Sequence, residues 1–230
     1  MRTRKPGRLR DIATAALSVF TRQGFRLTQM VDVAREAGIS AGALYSYVEG
    51  KDALLELALI HAFGEAFEQD EPFQGSGLAS VGATLATKLS QSLRWPVLER
   101  TLKQSTIRSG DLIAVIDELF TFAMQHRQLI WLLDRCGAEI AEIGGVYQTA
   151  VRGRLFADFT RFVGMTPAGR ELGGEELAAH ARAIFEMVVW MGMHRHRDRL
   201  PPAIGDETAR QAVVAIALCA MQNQNRSERS

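Results

Sequence analysis

The chain has 230 residues, of which 47% are hydrophobic and 23% charged, and its formal net charge is +1. This composition is that of an ordinary globular protein and excludes an intrinsically disordered chain. Its two cysteines, Cys136 and Cys219, are too few and too far apart for a disulfide framework or a zinc site. The longest wholly apolar run, residues 212–221, is too short to cross a bilayer, so we expect a cytoplasmic protein.

The chain opens with a basic arm made of Arg2, Arg4, Lys5 and Arg8. Residues 1–60 hold nine Lys or Arg against six Asp or Glu, which gives this end a charge of +3 and leaves −2 for the rest. Two interpretations of the arm stay open. It is either a disordered tail or a segment that contacts phosphates or the minor groove of DNA.

A first helix follows the arm, because apolar residues recur there at the i, i+3, i+4 spacing of one helix face. The residues of this stripe are Leu9, Ile12, Ala13, Ala16, Leu17 and Phe20. Gly24 is predicted to end the helix, and Phe25 to fold back toward the stripe.

Residues 28–51 predict two short helices joined by a tight turn. Gly38 lies in the turn, where a positive φ favours glycine. Thr28 and Ser40 are predicted to cap the N-termini of the two helices with their hydroxyl groups. This is the layout of a helix-turn-helix, in which the second helix, residues 41–47, enters the major groove of DNA.

The same stretch resembles the DNA-binding domain of the tetracycline-repressor (TetR) family, over roughly residues 8–60. The resemblance is carried by Thr28, residues 33–40, Gly42, Leu44, Tyr45, Tyr47 and Lys51. It implies an all-α protein with a three-helix DNA-binding domain at residues 1–50. A larger helical domain at residues 51–230 would bind an effector and form the dimer.

The candidate DNA-binding residues lie on both helices of this motif. They are Thr28, Gln29, Arg35, Ser40, Ala41, Gly42, Ala43, Tyr45, Ser46, Tyr47 and Lys51. Tyr45, Tyr47 and Lys51 resemble the family's phosphate-binding positions, although core packing stays an alternative for both tyrosines.

The second helix departs from the commonest family pattern at Ala41, Ala43, Ser46 and Val48. Small side chains make no bidentate hydrogen bonds to bases, but alanine methyls can touch thymine methyls. We therefore expect specificity to come from thymine methyls, from Gln29 or Arg35 on the preceding helix, and from DNA shape.

After Lys51, an apolar stripe from Leu54 to Phe67 predicts one long helix, followed by a loop at residues 70–77. Gly50 and Lys51 do not form a nucleotide-binding loop, because the earlier glycine that such a loop requires is replaced by Tyr45. The remainder reads as helices, with no run of strand character. Predicted separators lie at residues 95–96, 109–110, 144–145, 164–174 and 200–206.

The second domain is rich in aromatic and methionine side chains, which suit the lining of an apolar pocket. The family resemblance implies that such a pocket binds a small effector. The candidate lining residues are Phe120, Met124, Trp131, Phe159, Glu186 and Trp190. For each apolar residue the simpler alternative is core packing. For Glu186 it is a surface ion pair with Arg182.

The last helix, residues 206–222, is apolar nearly all round and must be buried on two faces. Together with the helix at residues 175–195 it resembles the family's dimerisation bundle. The candidate dimer residues are Ala212, Val213, Ile216, Ala217 and Ala220.

No pattern of an enzyme is found: the chain has no nucleophile elbow, zinc-protease helix or glycine-rich dinucleotide turn. His194 and His196 are two residues apart, so on a helix they point to different faces and do not readily share a metal. We expect no catalytic activity, no metal and no cofactor.

The sequence therefore predicts a homodimeric transcriptional regulator that binds a palindromic operator in double-stranded DNA. We expect a repressor that a small, largely apolar effector releases. The alternative is a ligand-binding or protein-interaction module that has lost specific operator binding.

Overall fold

The computed structural model describes residues 7–66, 72–200 and 203–222. Within these ranges the regular secondary structure is helical, apart from one isolated β-bridge between Val48 and Phe73. The predicted all-α fold is confirmed. None of the helices described is long and apolar enough to span a membrane.

Twelve α-helices fall within the described ranges. They are α1 (Arg8–Leu27), α2 (Met30–Glu36), α3 (Ala41–Tyr45), α4 (Lys51–Ala62), α5 (Leu78–Ser92), α6 (Pro96–Thr101), α7 (Ser109–Gln125), α8 (Arg127–Gly137), α9 (Ala141–Val146), α10 (Arg154–Gly164), α11 (Gly174–Gly192) and α12 (Asp206–Met221). A π-helical segment, Tyr147–Gly153, precedes α10.

The chain packs as two compact units. The first comprises Met1–Ser92 and His126–Val151, and the second comprises Leu93–Gln125 and Arg152–Ser230. Both units are therefore built from two separate stretches of the chain. The predicted division at residue 50, between a DNA-binding domain and an effector-binding and dimerisation domain, stays a prediction.

In the first unit, α1 packs against α4 and α8, and α2 packs against α1 and α3. The apolar stripe of α1 explains this arrangement, since Ile12, Ala16 and Phe20 have no solvent exposure. Leu54 and Leu55 of α4, which packs against α1, are equally buried. The predicted core face of α1 is confirmed.

Two predicted helix boundaries are wrong. The helix after Lys51 ends at Ala62, because Gly64 has a φ of 79° that a continuing helix cannot accept, and Phe67 lies outside the described residues. The glycines at 144–145 do not separate helices, since α9 continues through them. Gly144 instead lets α9 approach the Gly137 carbonyl of α8, with which a Cβ would collide.

The second unit places α11 against α7, α10 and α12. Aromatic rings fill its interior: Phe159 lies 5.7 Å from Phe185 and 5.8 Å from Phe162, measured between ring centroids. The Trp95 ring lies 5.2 Å from that of Phe122. These rings pack in the core, which was the alternative to a role in lining a pocket.

Candidate nucleic-acid interface

The turn between α2 and α3 has the predicted geometry. Gly38 has a φ of 66°, and the Ile39 N–H donates back to the Ala34 carbonyl at 2.9 Å. Ser40 caps α3, since its Oγ accepts a hydrogen bond of 3.1 Å from the Ala43 N–H. Leu44 is fully buried and anchors α3 from within. The predicted turn and the predicted Ser40 cap are confirmed.

The predicted cap at Thr28 is wrong. Helix α2 begins at Met30, and its N-cap is Gln29, whose N–H donates to Asp32 Oδ2 at 3.0 Å. This hydrogen bond is the main reason that the pKa of Asp32 is lowered. Thr28 is only 1% exposed and its hydroxyl donates to the Gly24 carbonyl at 2.6 Å, so it faces the protein interior and not DNA.

The outer surface of α3 is made of small side chains around one tyrosine. Gly42, Tyr45 and Ser46 are exposed, while Ala41 and Ala43 are half-buried. Tyr45 is 54% exposed, so its core-packing alternative does not hold. The helix itself has five residues, shorter than the predicted 41–47, because the chain turns at Ser46 toward the bridge at Val48.

Tyr47 and Val48 tie the end of the motif to the chain beyond α4. The Phe73 N–H donates to the Tyr47 carbonyl at 2.7 Å, and the Glu49 N–H donates to the Phe73 carbonyl at 3.2 Å. Val48 is fully buried and the Tyr47 side chain is half-buried. Both interpretations of Tyr47 therefore stay open, and no sequence pattern indicated the contact with Phe73.

Helix α2 contributes two exposed polar side chains, Gln29 and Arg35. Arg35 pairs only loosely with Asp32, at 3.7 Å, and its side chain is 75% exposed. A long, exposed guanidinium can reorient toward a phosphate or a base at little energetic cost. These two residues are placed as the readout hypothesis requires.

Helix α2 is fixed to α1 by a polar cluster. Ser18 Oγ donates to Glu36 Oε1 at 2.8 Å, and Arg22 Nη2 donates to Glu36 Oε2 at 3.1 Å. The hydrogen bonds from Ser18 and then Arg22 lower the pKa of Glu36. The cluster sets the angle between the two helices.

The Lys51 side chain is half-buried and its ammonium group contacts the protein itself. A lysine that only binds a phosphate would not need these contacts. Lys51 Nζ donates to the Phe25 carbonyl at 3.1 Å and lies 4.5 Å from the centroid of the Phe25 ring. Lys51 thus supports the corner between α1 and α2. Of the basic arm, Arg8 pairs with Asp11 at 3.6 Å, whereas the other three residues fall outside the described ranges.

Comparison with known proteins agrees with this geometry. Residues 12–58 match the sequence model of a family described as "Bacterial regulatory proteins, tetR family". This segment of the chain is therefore similar to TetR-family regulators. Among the residues that the structure describes, no group of three or more His, Cys, Asp or Glu side chains could hold a metal ion.

Two curated relatives match part of the chain. The HTH-type transcriptional regulator HbdR of Aromatoleum sp. (strain CIB) is 38% identical over 71 residues, 31% of each protein. The HTH-type transcriptional repressor KstR2 of Rhodococcus jostii (strain RHA1) is 31% identical over 88 residues, 38% of this chain and 43% of the relative. The chain thus spans less than half the length of the curated relatives it matches.

The whole chain resembles solved TetR-family structures in fold. The ketosteroid transcriptional regulator KstR2 of Mycobacterium tuberculosis superposes with a TM-score of 0.53 and 15% identity, covering 96% of this chain and 98% of that one. At this identity the likeness concerns the fold alone. The family and its relatives are transcriptional regulators and not enzymes.

The candidate effector-pocket residues occupy different environments. Phe120 and Phe159 belong to the fully buried core, and Trp131 is buried in the first unit. Glu186 pairs with Arg182 at 2.6 Å and with Arg152 at 4.0 Å, so the ion-pair alternative holds for it. Met124 is half-buried. The set as an effector pocket stays a prediction.

Trp190 is 42% exposed and lines a cavity of about 420 Å³ in the second unit. The wall of this cavity is part apolar and part basic. Its other lining residues are Arg195, His196, Asp198, Arg199, Leu200, Ala203 and Ile204. Sequence analysis indicated Trp190 but not the other lining residues, because those lie in the connection after α11 and follow no helical period.

The candidate dimer residues on α12 divide between two faces. Val213 and Ala217 are 1% and 0% exposed in the single chain, so they pack inside their own unit, and their assignment to a dimer surface is wrong. Ile216 is 55% exposed, Ala212 is exposed, and Ala220 is half-buried. Periodicity showed that α12 has two apolar faces but not which of them is internal.

Proposed function

We propose that the chain is a homodimeric, sequence-specific DNA-binding repressor of transcription. The observation that carries this proposal is α3, a helix capped by Ser40 and anchored by Leu44 that presents a nearly bare outer surface beside the exposed Tyr45. Such a helix can lie in the major groove with its backbone close to the base edges.

We expect base readout to combine weak direct contacts from α3 with contacts from the exposed polar side chains of α2. Ala41, Gly42 and Ala43 offer methyl groups and close backbone approach, while Gln29 and Arg35 extend from α2. We expect Tyr45, whose side chain is exposed, to donate its hydroxyl to a phosphate, a contact that positions the helix without reading sequence. Specificity then depends on thymine methyls and on the shape of the site.

A dimer is supported by the hairpin of α11 and α12. The two helices run antiparallel, since His180 Nε2 lies 2.9 Å from the Ala220 carbonyl oxygen at one end and Arg195 pairs with Asp206 at the other. Trp190 and Ile216 remain exposed on this hairpin. A second copy would cover such side chains, and its two-fold symmetry would match a palindromic operator.

Repression is supported by the similarity to KstR2 of Rhodococcus jostii (strain RHA1), an HTH-type transcriptional repressor. The proposed effector is a small, largely apolar molecule. The cavity beside Trp190, Leu200 and Ile204 has about the volume that a small ligand needs. An effector releases DNA only if it binds one dimer geometry better than the other.

The test is selection of bound duplexes from a random DNA pool by the purified full chain. The proposal expects an enriched palindromic sequence with two half-sites about one helical turn apart. The rival class, a module that no longer reads operators, expects no enrichment over the starting pool. That result would overturn the proposed function.

A further inference from the structure

Helix α1 is kinked at Gly24, and residues 23–26 form the corner through which its end leads toward α2. The peptide groups of this corner are hydrogen-bonded from outside it. Arg135 Nη2 donates to the Gln23 carbonyl at 2.9 Å. The Arg26 N–H donates to Glu139 Oε2 at 2.7 Å, across a separation of 113 residues. Both partners come from α8 and the turn that follows it.

The approach of these side chains to the corner is very close. A Cβ placed on Gly24 would lie 3.0 Å from Glu139 Cδ and 3.1 Å from Arg135 Nε. Gly24 also has φ 84° and ψ 177°, a conformation that is essentially restricted to glycine. The corner can therefore take this shape and receive α8 only with glycine at position 24.

The Glu139 carboxylate, which accepts from Arg26, belongs to a mostly buried side chain. The Glu139 side chain is 15% exposed and lies 4.0 Å from the Arg135 guanidinium. Cys136, between them in sequence, is fully buried, and burial raises the pKa of its thiol to about 12. Hydrogen bonds from a charged group to a peptide are shorter and stronger than neutral ones, and they are directional.

We propose that Arg135 and Glu139 are positioning residues for DNA binding, which hold the α1–α2 corner to α8 and so set the orientation of the helix-turn-helix. This inference rests on the proposed function. Neither residue is a candidate DNA contact. They act through Gln23 and Arg26, whose peptide groups lead directly into α2.

The proposed coupling is sensitive to small movements of α8. A displacement of α8 by about 1 Å would stretch the bond between Arg26 and Glu139 beyond hydrogen-bonding distance. Because α8 belongs to the part of the chain assigned to effector binding and dimerisation, a shift there would reach α2 and α3 through this contact.

The experiment compares Glu139→Ala, Glu139→Gln and Arg135→Ala for affinity to the selected operator and to a scrambled duplex. Glu65→Gln is the matched control, because it removes a carboxylate from another ion pair of the same unit, that with Lys88. Ile143→Val, in α9, controls for a modest loss of buried packing that removes neither hydrogen bond of the corner. The unfolding temperature is measured for each variant.

We expect Glu139→Ala to weaken operator binding about tenfold, within the usual range of coupling between sites, while scrambled-duplex affinity changes less than about twofold. The direction of this change in affinity is informative, because removing a negative charge should by itself tighten binding to DNA. Glu139→Gln should stay within about twofold of the parent, since its amide oxygen still accepts from Arg26. Arg135→Ala should behave as Glu139→Ala.

A second readout uses Cys136 as a reporter, in a Cys219→Ser background. Alkylation of Cys136 should be slow in the parent and at least about tenfold faster in Glu139→Ala, because the thiol becomes accessible when the corner opens. Glu65→Gln and Ile143→Val should not accelerate it to that extent.

Two results would overturn the inference and are distinguishable. If the parent selects an operator and Glu139→Ala binds it with parental affinity, the corner does not position the motif, although the proposed function stands. If Glu139→Ala weakens operator and scrambled binding alike, its role is only structural. Failure of the parent to select any site overturns the proposed function together with this inference.

Discussion

Lys51 Nζ lies 4.5 Å from the centroid of the Phe25 ring and donates a hydrogen bond of 3.1 Å to the Phe25 carbonyl. The first residue of α4 is thereby fastened to the end of α1. Since Phe25 in turn stacks on Phe20, with centroids 6.0 Å apart, the contact reaches the core of the three-helix domain. A residue expected at the DNA surface therefore also has a structural role.

Lys51→Ala should lower the free energy of unfolding by about 1 kcal/mol, through the lost cation–π contact and hydrogen bond. It should also weaken binding to every duplex, while the slope of log affinity against log salt falls by less than the full unit of one phosphate contact. Denaturant unfolding and salt titrations measure both effects. Lys103→Ala, at an exposed lysine of the second unit, is the charge-matched control.

A Lys51→Ala protein with unchanged unfolding free energy and a salt slope lowered by one unit would make Lys51 a phosphate contact alone. The contacts between Lys51 and Phe25 would then make no measurable contribution to the free energy of unfolding.

Gly24→Ala should destabilise the chain by about 1–3 kcal/mol, because alanine is strained at a φ of 84°. Adding Glu139→Ala should relieve the collision with the new Cβ but not the backbone strain, so most of the loss should persist. Thermal unfolding of both variants measures this. Gly110→Ala, where φ is not positive and an added methyl group would meet no atom within 4 Å, should be neutral or stabilising.

Complete recovery in the Gly24→Ala, Glu139→Ala double variant would show that contact with Glu139, rather than backbone conformation, requires the glycine.

Local chemistry made much of the helix-turn-helix predictable. Gly38 and Ser40 have the conformation and hydrogen bond that their residue types favour, and Gly24 interrupts α1. The Thr28 cap failed for a local reason as well. Asp32, three residues after Gln29, supplies the carboxylate that satisfies the start of α2, so the helix begins one residue later than threonine preference suggested.

The remaining features depend on tertiary contacts, which produce no periodic pattern in the sequence. Arg135 and Glu139 are polar residues at the end of a helix, and nothing in their spacing indicates a corner more than a hundred residues earlier. The bridge from Val48 to Phe73 likewise joins two irregular stretches. On α12, Val213 and Ile216 share one apolar pattern, and only tertiary packing decides that the first is internal.

That division of α12 gives a prediction with an internal control. Ile216→Asp should yield a folded monomer, because the charge enters a surface that only a second copy would cover. Val213→Asp should unfold the chain or lower its stability by several kcal/mol, because it buries a charge within the unit. Sedimentation and circular dichroism separate the two outcomes. An undisturbed dimer of Ile216→Asp would place the interface elsewhere.

The bare surface of α3 predicts how a selected operator is read. Replacing a thymine that faces Ala41 or Ala43 by uracil should cost about 1 kcal/mol, on the order of one buried methylene group. Ala43→Thr should change the preferred base at the same position more than Gln29→Ala changes affinity for scrambled DNA. Sharp guanine preferences under α3, insensitive to uracil, would contradict this account of readout.

The most direct test of DNA recognition is the ratio of affinities for the selected operator and for a scrambled duplex of equal length, measured by fluorescence anisotropy at about 0.15 M salt. A sequence-specific regulator should bind the operator at least about 10³-fold more tightly. Two chains should occupy each duplex at saturation. Equal affinities for the two duplexes would contradict the claim that α3 reads a DNA sequence.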